Sequence, residues 1–304
     1  MEACCGSGGA ALRWGYMAVA SGLHETVIVA GVEQMTHRDN QTVTKGLAAA
    51  SDWEQEGAHG ATFVSLNGSL MSMYMEKYGI DHEAFGAFPN NAHNNASSSQ
   101  HAVLKKRLAQ SDYRKSPVIT EPVRLLDACP TCDGAAAVVL TASREIASAR
   151  RNGINGAGSG VVRLAGSGAA SDLLCVRDRP DPLHLSAVEA STQQALAHAQ
   201  LDMGAVDLFE LHDAYSIMAC LCLESAVSRE RGESLPACVV RAHLSNPPCV
   251  CWIESTVSRG LTIATDWDPR GPGLWPWHWL SAPMAMPLVR PPLTQCLSGL
   301  RAAG

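Results

Sequence analysis

The chain has 304 residues, of which 46% are hydrophobic and 17% charged, and its formal net charge is -6. This balance is typical of a globular protein and excludes a disordered chain. The 23 basic residues are scattered, so no nucleic-acid partner is predicted, and the apolar runs are too short to cross a bilayer, so no membrane partner is predicted either.

The eleven cysteines are too sparse for a disulfide scaffold of the secreted type. The first residues lack the basic and apolar stretches of a signal peptide, so we expect reduced thiols and a cytoplasmic location. Cys129 and Cys132 form a CxxC pair, but no second CxxC follows at zinc-finger spacing. Zinc stays open as an alternative, and we predict no metal.

The first elements predict a helix followed by a buried strand. Within residues 7–23 apolar side chains recur at helical spacing and Gly22 is a plausible end. Residues 25–35 contain the run VIVAGV, which is typical of a strand in a parallel sheet covered on both faces. Helix followed by buried strand indicates a layered α/β architecture.

Residues 36–120 are polar, histidine-rich and irregular, with helices predicted at 66–78 and near 100–110. A segment this long between strands is more often functional than a simple connection. Residues 133–143 again predict a buried strand, and the glycine-rich residues 144–160 predict a linker between two halves.

The second half repeats the alternation of strand and helix. Strands are predicted at 161–168 and 206–213, and helices at 185–201 and 215–227. From residue 235 the composition changes: this tail has ten of the sixteen prolines, five of the seven tryptophans and no lysine. Because prolines interrupt helix and strand alike, we expect no regular packing there. Frame-shifted or non-coding sequence is one hypothesis, and a lineage-specific extension is the other.

Cys5 is the first candidate for chemistry. Two cysteines precede a helix rich in small residues, and a thiol at a helix N-terminus meets the positive end of the helix dipole, which favours the thiolate. The neighbouring glycines let a substrate approach the backbone closely. These residues alone leave two interpretations open, a reactive nucleophile or a small buried hydrophobe.

Five segments, in order, resemble the thiolase superfamily, most closely its archaeal acetyl-CoA acetyltransferase-like and sterol-carrier-protein thiolase branch. The first, EACCGSGGAAL, is similar to the nucleophile segment and aligns Cys5 with the acyl-accepting cysteine. The others are VAGVEQMT (29–36), NAHNNA (91–96), SPVITEPVRLLDACPTCDGAAAVVL (116–140) and ELHDAYSIMACLCLE (210–224).

The resemblance implies roles for four further residues. On general grounds His212 could be a hydrogen-bonded structural residue. The resemblance implies instead that it polarises the reacting carbonyl oxygen. His93, otherwise a surface histidine, would lie near the substrate or CoA channel, and His59 would line the same channel or lie on the surface. Asp213 would bind substrate or CoA by orienting the loop, with a simple turn or cap role as the alternative.

The resemblance also implies the fold, a thiolase-like layered α/β/α/β/α arrangement incomplete at both ends. Residues 1–35 and 120–150 would form part of the N-terminal half and 36–119 a loop domain. Residues 151–234 would form part of the C-terminal half, followed by the atypical tail 235–304. The family pattern has strands ahead of the nucleophile and a GHPxGATG-like segment near its end, so we expect a partial gene product with little or no activity.

The implied chemistry is thiolytic cleavage of 3-ketoacyl-CoA, or the reverse Claisen condensation, through an acyl-enzyme on Cys5. Coenzyme A would be a substrate and no other cofactor is expected. The intact family implies a homodimer or tetramer, with a partner subunit also possible. Two alternatives stay open: a non-catalytic acyl-CoA-binding or scaffold subunit, and a ketoacyl-synthase-like condensing enzyme, which ELHDAYS without a GTxT-type motif disfavours.

Overall fold

The computed structural model describes residues 2–99, 101–143, 162–206 and 209–227. The helices in this part are α1 (Ser7–Ala20), α2 (Asn40–Ala48), α3 (Phe63–Tyr78), α4 (Ala87–Ala96), α5 (Gln110–Arg114), α6 (Ser186–Ala199) and α7 (Ser216–Val227). The strands are β1 (Thr26–Glu33), β2 (Val118–Thr120), β3 (Val123–Arg124) and β4 (Gly134–Thr141). The predicted linker at 144–160 and the tail at 235–304 lie outside the described residues.

Helix α1 packs directly on the sheet formed by β1 and β4. The approach is close at Gly15, where an added Cβ would lie 2.5 Å from Cγ2 of Val29 and 3.1 Å from Cδ1 of Leu140. The helix ends at Ala20, and Gly22 follows with φ of +75°, a left-handed conformation that favours glycine. The helix predicted over 7–23 is therefore confirmed, with its end three residues earlier.

The pairing of β1 with β4 corrects the sequence prediction. The two strands are antiparallel, with Thr26 opposite Thr141 and Glu33 opposite Gly134. One face packs on α1, whereas Ile28 and Val32 on the other face are 70% and 79% exposed within the described part of the chain. The prediction of a parallel strand buried on both faces was wrong because both faces of β1 are apolar, so alternation could not distinguish them.

Residues 36–119 contain four described helices, and three of them, α3, α4 and α5, share a core with the second half. Helix α3 confirms the prediction at 66–78 and begins with a capping box, in which Thr62 Oγ1 accepts from the Ser65 N–H at 3.2 Å. The helix predicted near 100–110 was wrong: α4 and α5 flank that stretch, and 101–109 contain none. Pro89 lies in the first turn of α4, where a missing N–H costs no helical hydrogen bond.

The largest hydrophobic core surrounds α7, which is buried along its length except at Met218 and Val227. Tyr74 of α3 donates a hydrogen bond to Glu224 of α7 at 2.6 Å, and both side chains are buried. The loop-domain helices and the second half are thus packed as one unit. No helix in the described residues is long and apolar enough to cross a membrane.

Both predicted helices of the second half, α6 and α7, are confirmed, whereas the described residues of the two predicted strands, 161–168 and 206–213, contain no strand. Residues 161, 207 and 208 lie outside the described residues, and 162–168 contains a single bridge residue, Leu164. Residues 166–168 lie against α6 instead, where a Cβ on Gly166 or Gly168 would collide with the carbonyl oxygens of Ala195 or Ser191. The small residues here allow close packing on a helix, a use that the strand-like pattern VVRLAGSG does not reveal.

Candidate active site

Cys5 lies in a short 3₁₀ turn, Cys4–Gly6, that leads directly into α1. This confirms the predicted placement at the helix N-terminus. The turn is braced by Glu2, whose carboxylate accepts from the Cys4 N–H and the Ser7 hydroxyl, each at 2.9 Å. The Ser7 hydroxyl, followed by the Cys4 N–H, lowers the pKa of Glu2, which keeps the brace ionised at neutral pH.

The two adjacent cysteines differ in setting. Cys4 is exposed and has a φ of +50°, an uncommon conformation for a residue with a side chain. Partial burial of the thiol raises the pKa of Cys4, and the charges of Cys5 and Glu2 add to that rise. Cys5 is half-buried. The raised pKa of Cys4 disfavours its thiolate at neutral pH, and the assignment of Cys5 as the nucleophile stays a prediction.

The residues before α7 pass beside a second segment, 127–130. The Cys129 N–H donates to the Ala214 carbonyl at 3.0 Å, and Ala128 forms an antiparallel bridge with Tyr215. Burial raises the pKa of Tyr215, and the nearby charges of Cys129 and Cys5 add to the effect. Tyr215 is thus near enough to Cys129 and Cys5 for their charges to act on it, and it adjoins the loop that carries His212 and Asp213.

His212 and Asp213 are half-buried. Both act on the thiol of Cys222 in α7, His212 through a backbone hydrogen bond and Asp213 through its charge. Burial raises the pKa of Cys222 to about 12, the charge of Asp213 adds to the rise, and a hydrogen bond with the His212 backbone opposes it. The thiol of Cys222 is thus a neutral packing group behind the loop. The expected approach of the His212 ring to Cys5 stays a prediction.

A cavity of about 310 Å³ opens beside this loop. Its walls are mostly apolar, and its polar groups come from the loop domain and from the two segments that pair at Ala128 and Tyr215. The lining residues are Phe88, Pro89, Ala92, His93, Leu104, Ile119, Leu125, Leu126, Asp127, Ala128, Cys129, Pro130, Asp213 and Ser216. Two predicted residues, His93 and Asp213, are therefore brought to one cavity.

Family models match both halves of the chain. The model described as thiolase, N-terminal domain, matches residues 1–144, and the model described as thiolase C-terminal domain-like matches residues 168–244. This chain belongs to the thiolase superfamily.

Curated relatives of this thiolase-family chain agree with the family models. An acetyl-CoA acetyltransferase of Methanothermobacter thermautotrophicus is 37% identical over 77% of the chain and 58% of the relative. One of Methanocaldococcus jannaschii is 32% identical over the same shares, and rabbit (Oryctolagus cuniculus) sterol carrier protein 2 is 24% identical over 73% and 41%. The chain thus spans 58% of the length of the two acetyltransferases.

Solved structures share the thiolase fold. A structure titled Ltp2-ChsH2(DUF35) aldolase has a TM-score of 0.66 at 20% identity, covering 82% of this chain and 64% of that chain. Human mitochondrial 3-ketoacyl-CoA thiolase has a TM-score of 0.54 at 15% identity, covering 76% and 63%. The expectation of a thiolase-like α/β fold is confirmed.

The two loop-domain histidines of this thiolase chain are placed differently. His93 is 7% exposed, and its Nδ1 lies 2.8 Å from the Lys106 carbonyl oxygen, so Nδ1 carries the hydrogen. The interpretation of His93 as a surface residue was therefore wrong. His59 lies in an exposed 3₁₀ turn, Gly57–His59, outside the lining of the cavity, and its assignment to a channel stays a prediction.

Sequence reasoning missed the most polar group at the cavity, Asp127. This carboxylate is 2% exposed and accepts hydrogen bonds from His82 Nε2 at 2.8 Å, the Tyr113 hydroxyl at 2.6 Å, the Arg124 N–H at 2.8 Å and the Ser216 hydroxyl. Burial acts to raise the pKa of Asp127, but the bonds from His82, Ser216 and Tyr113 outweigh it and hold the pKa below its ordinary value.

One signal could have indicated Asp127. It stands between Leu126 and Ala128 in an otherwise apolar stretch, and a buried carboxylate requires donors. The pairing of Ala128 and Cys129 with Ala214 and Tyr215 was also missed. No spacing in the sequence connects these residues, because their proximity arises from the crossing of segments 127–130 and 212–216.

Proposed function

We propose that this chain carries out thiolase-type acyl transfer through a thioester on Cys5. The single observation that carries the proposal is the position of Cys5 in the turn that leads into α1, in a chain that belongs to the thiolase superfamily. The names of the archaeal relatives, acetyl-CoA acetyltransferases, support acyl-CoA and coenzyme A as the substrates.

In the cleavage direction the Cys5 thiolate attacks the 3-keto carbon of a 3-ketoacyl-CoA. The bond between carbons 2 and 3 breaks, the acyl group stays on Cys5, and acetyl-CoA leaves as an enolate that takes up a proton. The thiolate of free CoA then attacks the Cys5 thioester and releases a shortened acyl-CoA. Every atom of the substrate is accounted for in the two CoA products.

The roles of the individual residues follow from their positions. The positive end of the α1 dipole stabilises negative charge at Cys5, and His212 polarises the carbonyl oxygen that becomes an oxyanion. His93 and Asp213 supply the polar contacts of the apolar cavity, where part of the CoA thioester binds. Because Nδ1 of His93 donates to the Lys106 carbonyl, Nε2 is the ring nitrogen left to contact the substrate.

The decisive experiment is acyl transfer from acetyl-CoA, followed by peptide mass spectrometry. Cys4 and Cys5 lie on one tryptic peptide that ends at Arg13, so the variants Cys5→Ser and Cys4→Ser provide a matched pair. We expect one acetyl group on this peptide in the native chain and in Cys4→Ser, and none in Cys5→Ser. Equal acetylation in Cys5→Ser, or none in the native chain, would overturn the proposal.

The same chain also suggests two further properties. Its likeness to the complex titled Ltp2-ChsH2(DUF35) aldolase supports a partner subunit, and native mass spectrometry would distinguish this arrangement from a homodimer or tetramer. None of the seven described cysteines forms a disulfide, which supports the proposal of a cytoplasmic protein. Fractionation of source cells tests that location.

A further inference from the structure

Asp127 connects three segments that are far apart in the sequence. His82 lies in the 3₁₀ turn His82–Gly86 and Tyr113 lies in α5, whereas Ser216 is the first residue of α7. The rings of His82 and Tyr113 stack at a centroid distance of 5.1 Å with 4° between their planes. The carboxylate therefore joins a rigid pair on the loop-domain side to the end of the loop that precedes α7.

The two residues that follow Asp127 hold the same loop. The Ala128–Tyr215 bridge and the bond from the Cys129 N–H to the Ala214 carbonyl follow directly in register. Asp127 bonds Ser216, Ala128 pairs with Tyr215, and Cys129 bonds Ala214. Three successive residues thus hold three successive residues, and the first contact links this pairing to His82 and Tyr113 of the loop domain.

We propose that Asp127 is a positioning residue, which fixes residues 212–216 against the Cys5 turn by anchoring them to His82 and Tyr113. Its role in acyl transfer rests on the proposed function, whereas its mechanical role does not. Asp127 acts through its bond to Ser216 and the neighbouring Ala128–Tyr215 pair, which hold the end of the loop that carries His212 and Asp213. It sets the geometry in which the loop groups meet a thioester on Cys5.

The carboxylate is specifically required because all four of its partners donate. An Asn at 127 keeps the shape but replaces one acceptor oxygen with an NH₂ group, which would face donors from His82, Tyr113 or Ser216. Asp127→Asn therefore breaks the anchor without creating a cavity. The matched control is Asp133→Asn, because Asp133 accepts bonds from Met35 and Thr36 but contacts nothing in 212–216.

The first test is hydrogen exchange followed by mass spectrometry on the full chain, which needs no activity. We expect Asp127→Asn to speed exchange in peptides covering 127–133 and 210–216 by at least about tenfold, with α6 and β1 unchanged. Asp133→Asn should leave 210–216 unchanged. Equal acceleration across the whole chain, or none at 210–216, would overturn the proposal.

A second variant covers the case in which Asp127→Asn fails to fold. Ser216→Ala removes a single bond to Asp127 and leaves the bonds from His82 and Tyr113 in place. We expect faster exchange at 210–216, while residues 82–86 and 110–114 stay protected. Unchanged exchange at 210–216 in Ser216→Ala would show that the anchor does not act through this bond, and would overturn the proposal.

The third measurement separates positioning from general structural support. Acetylation of Cys5 by acetyl-CoA requires the loop, whereas alkylation of Cys5 by iodoacetamide requires only the thiol. In Asp127→Asn we expect the ratio of acetylation to alkylation rates to fall at least about tenfold, with alkylation little changed. An equal fall in both rates would overturn the positioning role. Native chain that shows the exchange pattern but no acetylation would overturn the proposed function alone.

Discussion

The Cys5 turn and the 212–215 loop belong to regions of very different packing. Helix α1 and strands β1 and β4 form a small cluster, in which Leu12 and Val29 are the buried hydrophobics among the described residues. Helix α7, by contrast, begins directly after the 212–215 loop and is surrounded by the large core, with Ile217, Ala219 and Leu221 fully buried. The proposed nucleophile, Cys5, thus lies on the weakly packed unit, and the loop proposed to meet it is anchored in the strongly packed one.

This comparison predicts that equal truncations have unequal effects in the two regions. Leu221→Ala should lower the free energy of unfolding by about 4 kcal/mol, and Leu12→Ala by about 2 kcal/mol, because the smaller cluster can collapse around the lost side chain. Urea unfolding of the two variants checks the difference. Equal losses would show that α1 and the sheet are packed as tightly as α7.

The next largest expected loss of stability comes from breaking the hydrogen bonds of Asp127. Asp127→Asn should lower the free energy of unfolding by about 3 kcal/mol at neutral pH, because the carboxylate is buried and fully hydrogen-bonded. Its folded pKa is depressed, so the stabilising contribution is complete above the unfolded value of about 3.9 and is lost as pH falls through the folded value.

The pH dependence supplies the check on that assignment. The difference between native chain and Asp127→Asn should shrink below a pH of about 3.9, as the native carboxyl becomes protonated. Unfolding curves at a series of pH values measure it. The control Asp133→Asn should show a much smaller difference, since Asp133 is exposed to solvent. A difference that is constant with pH would contradict the anchor.

The close contact of α1 with the sheet predicts a third effect. Gly15→Ala should destabilise the chain by about 2 kcal/mol, because the added methyl would meet Val29 at 2.5 Å. Gly46→Ala in α2 is the matched control: nothing lies within 4 Å of its Cβ position, so the better helix propensity should stabilise by about 0.5–1 kcal/mol. Thermal unfolding of both variants measures the two effects. A stabilising Gly15→Ala would contradict the packing described for α1.

The sequence predicted the Cys5 side of the site better than the opposite side, for a physical reason. Glu2, Cys4 and Ser7 hydrogen-bond one another around Cys5, so their arrangement is visible as a local motif. Asp127 depends on His82 and Ser216, which are 45 and 89 positions away. Hydrophobic periodicity reports only local structure. Most of the described helices could therefore be predicted, while the pairing of 127–129 with 214–216 could not.

The strand predictions divide in the same way. The runs at β1 and β4 were recognised from their β-branched residues, but their antiparallel pairing depends on which strand lies alongside. The segments at 162–168 and 209–213 were also predicted as strands, but 166–168 packs on α6 and Leu211 is buried in the large core. Hydrophobic content indicates burial, and the partner that provides it decides between a strand and an irregular segment.

The smallest predicted effect concerns the face of the sheet that is turned away from α1. Val32 is 79% exposed, so Val32→Thr, which keeps the β-branched shape, should change the free energy of unfolding by less than about 0.5 kcal/mol. Val29→Thr is the matched variant on the packed face of β1, where Val29 is 5% exposed and a hydroxyl would be buried. It should cost about 1–3 kcal/mol. Urea unfolding at two protein concentrations measures both, and a large, concentration-dependent loss in Val32→Thr would show that this face is packed in solution.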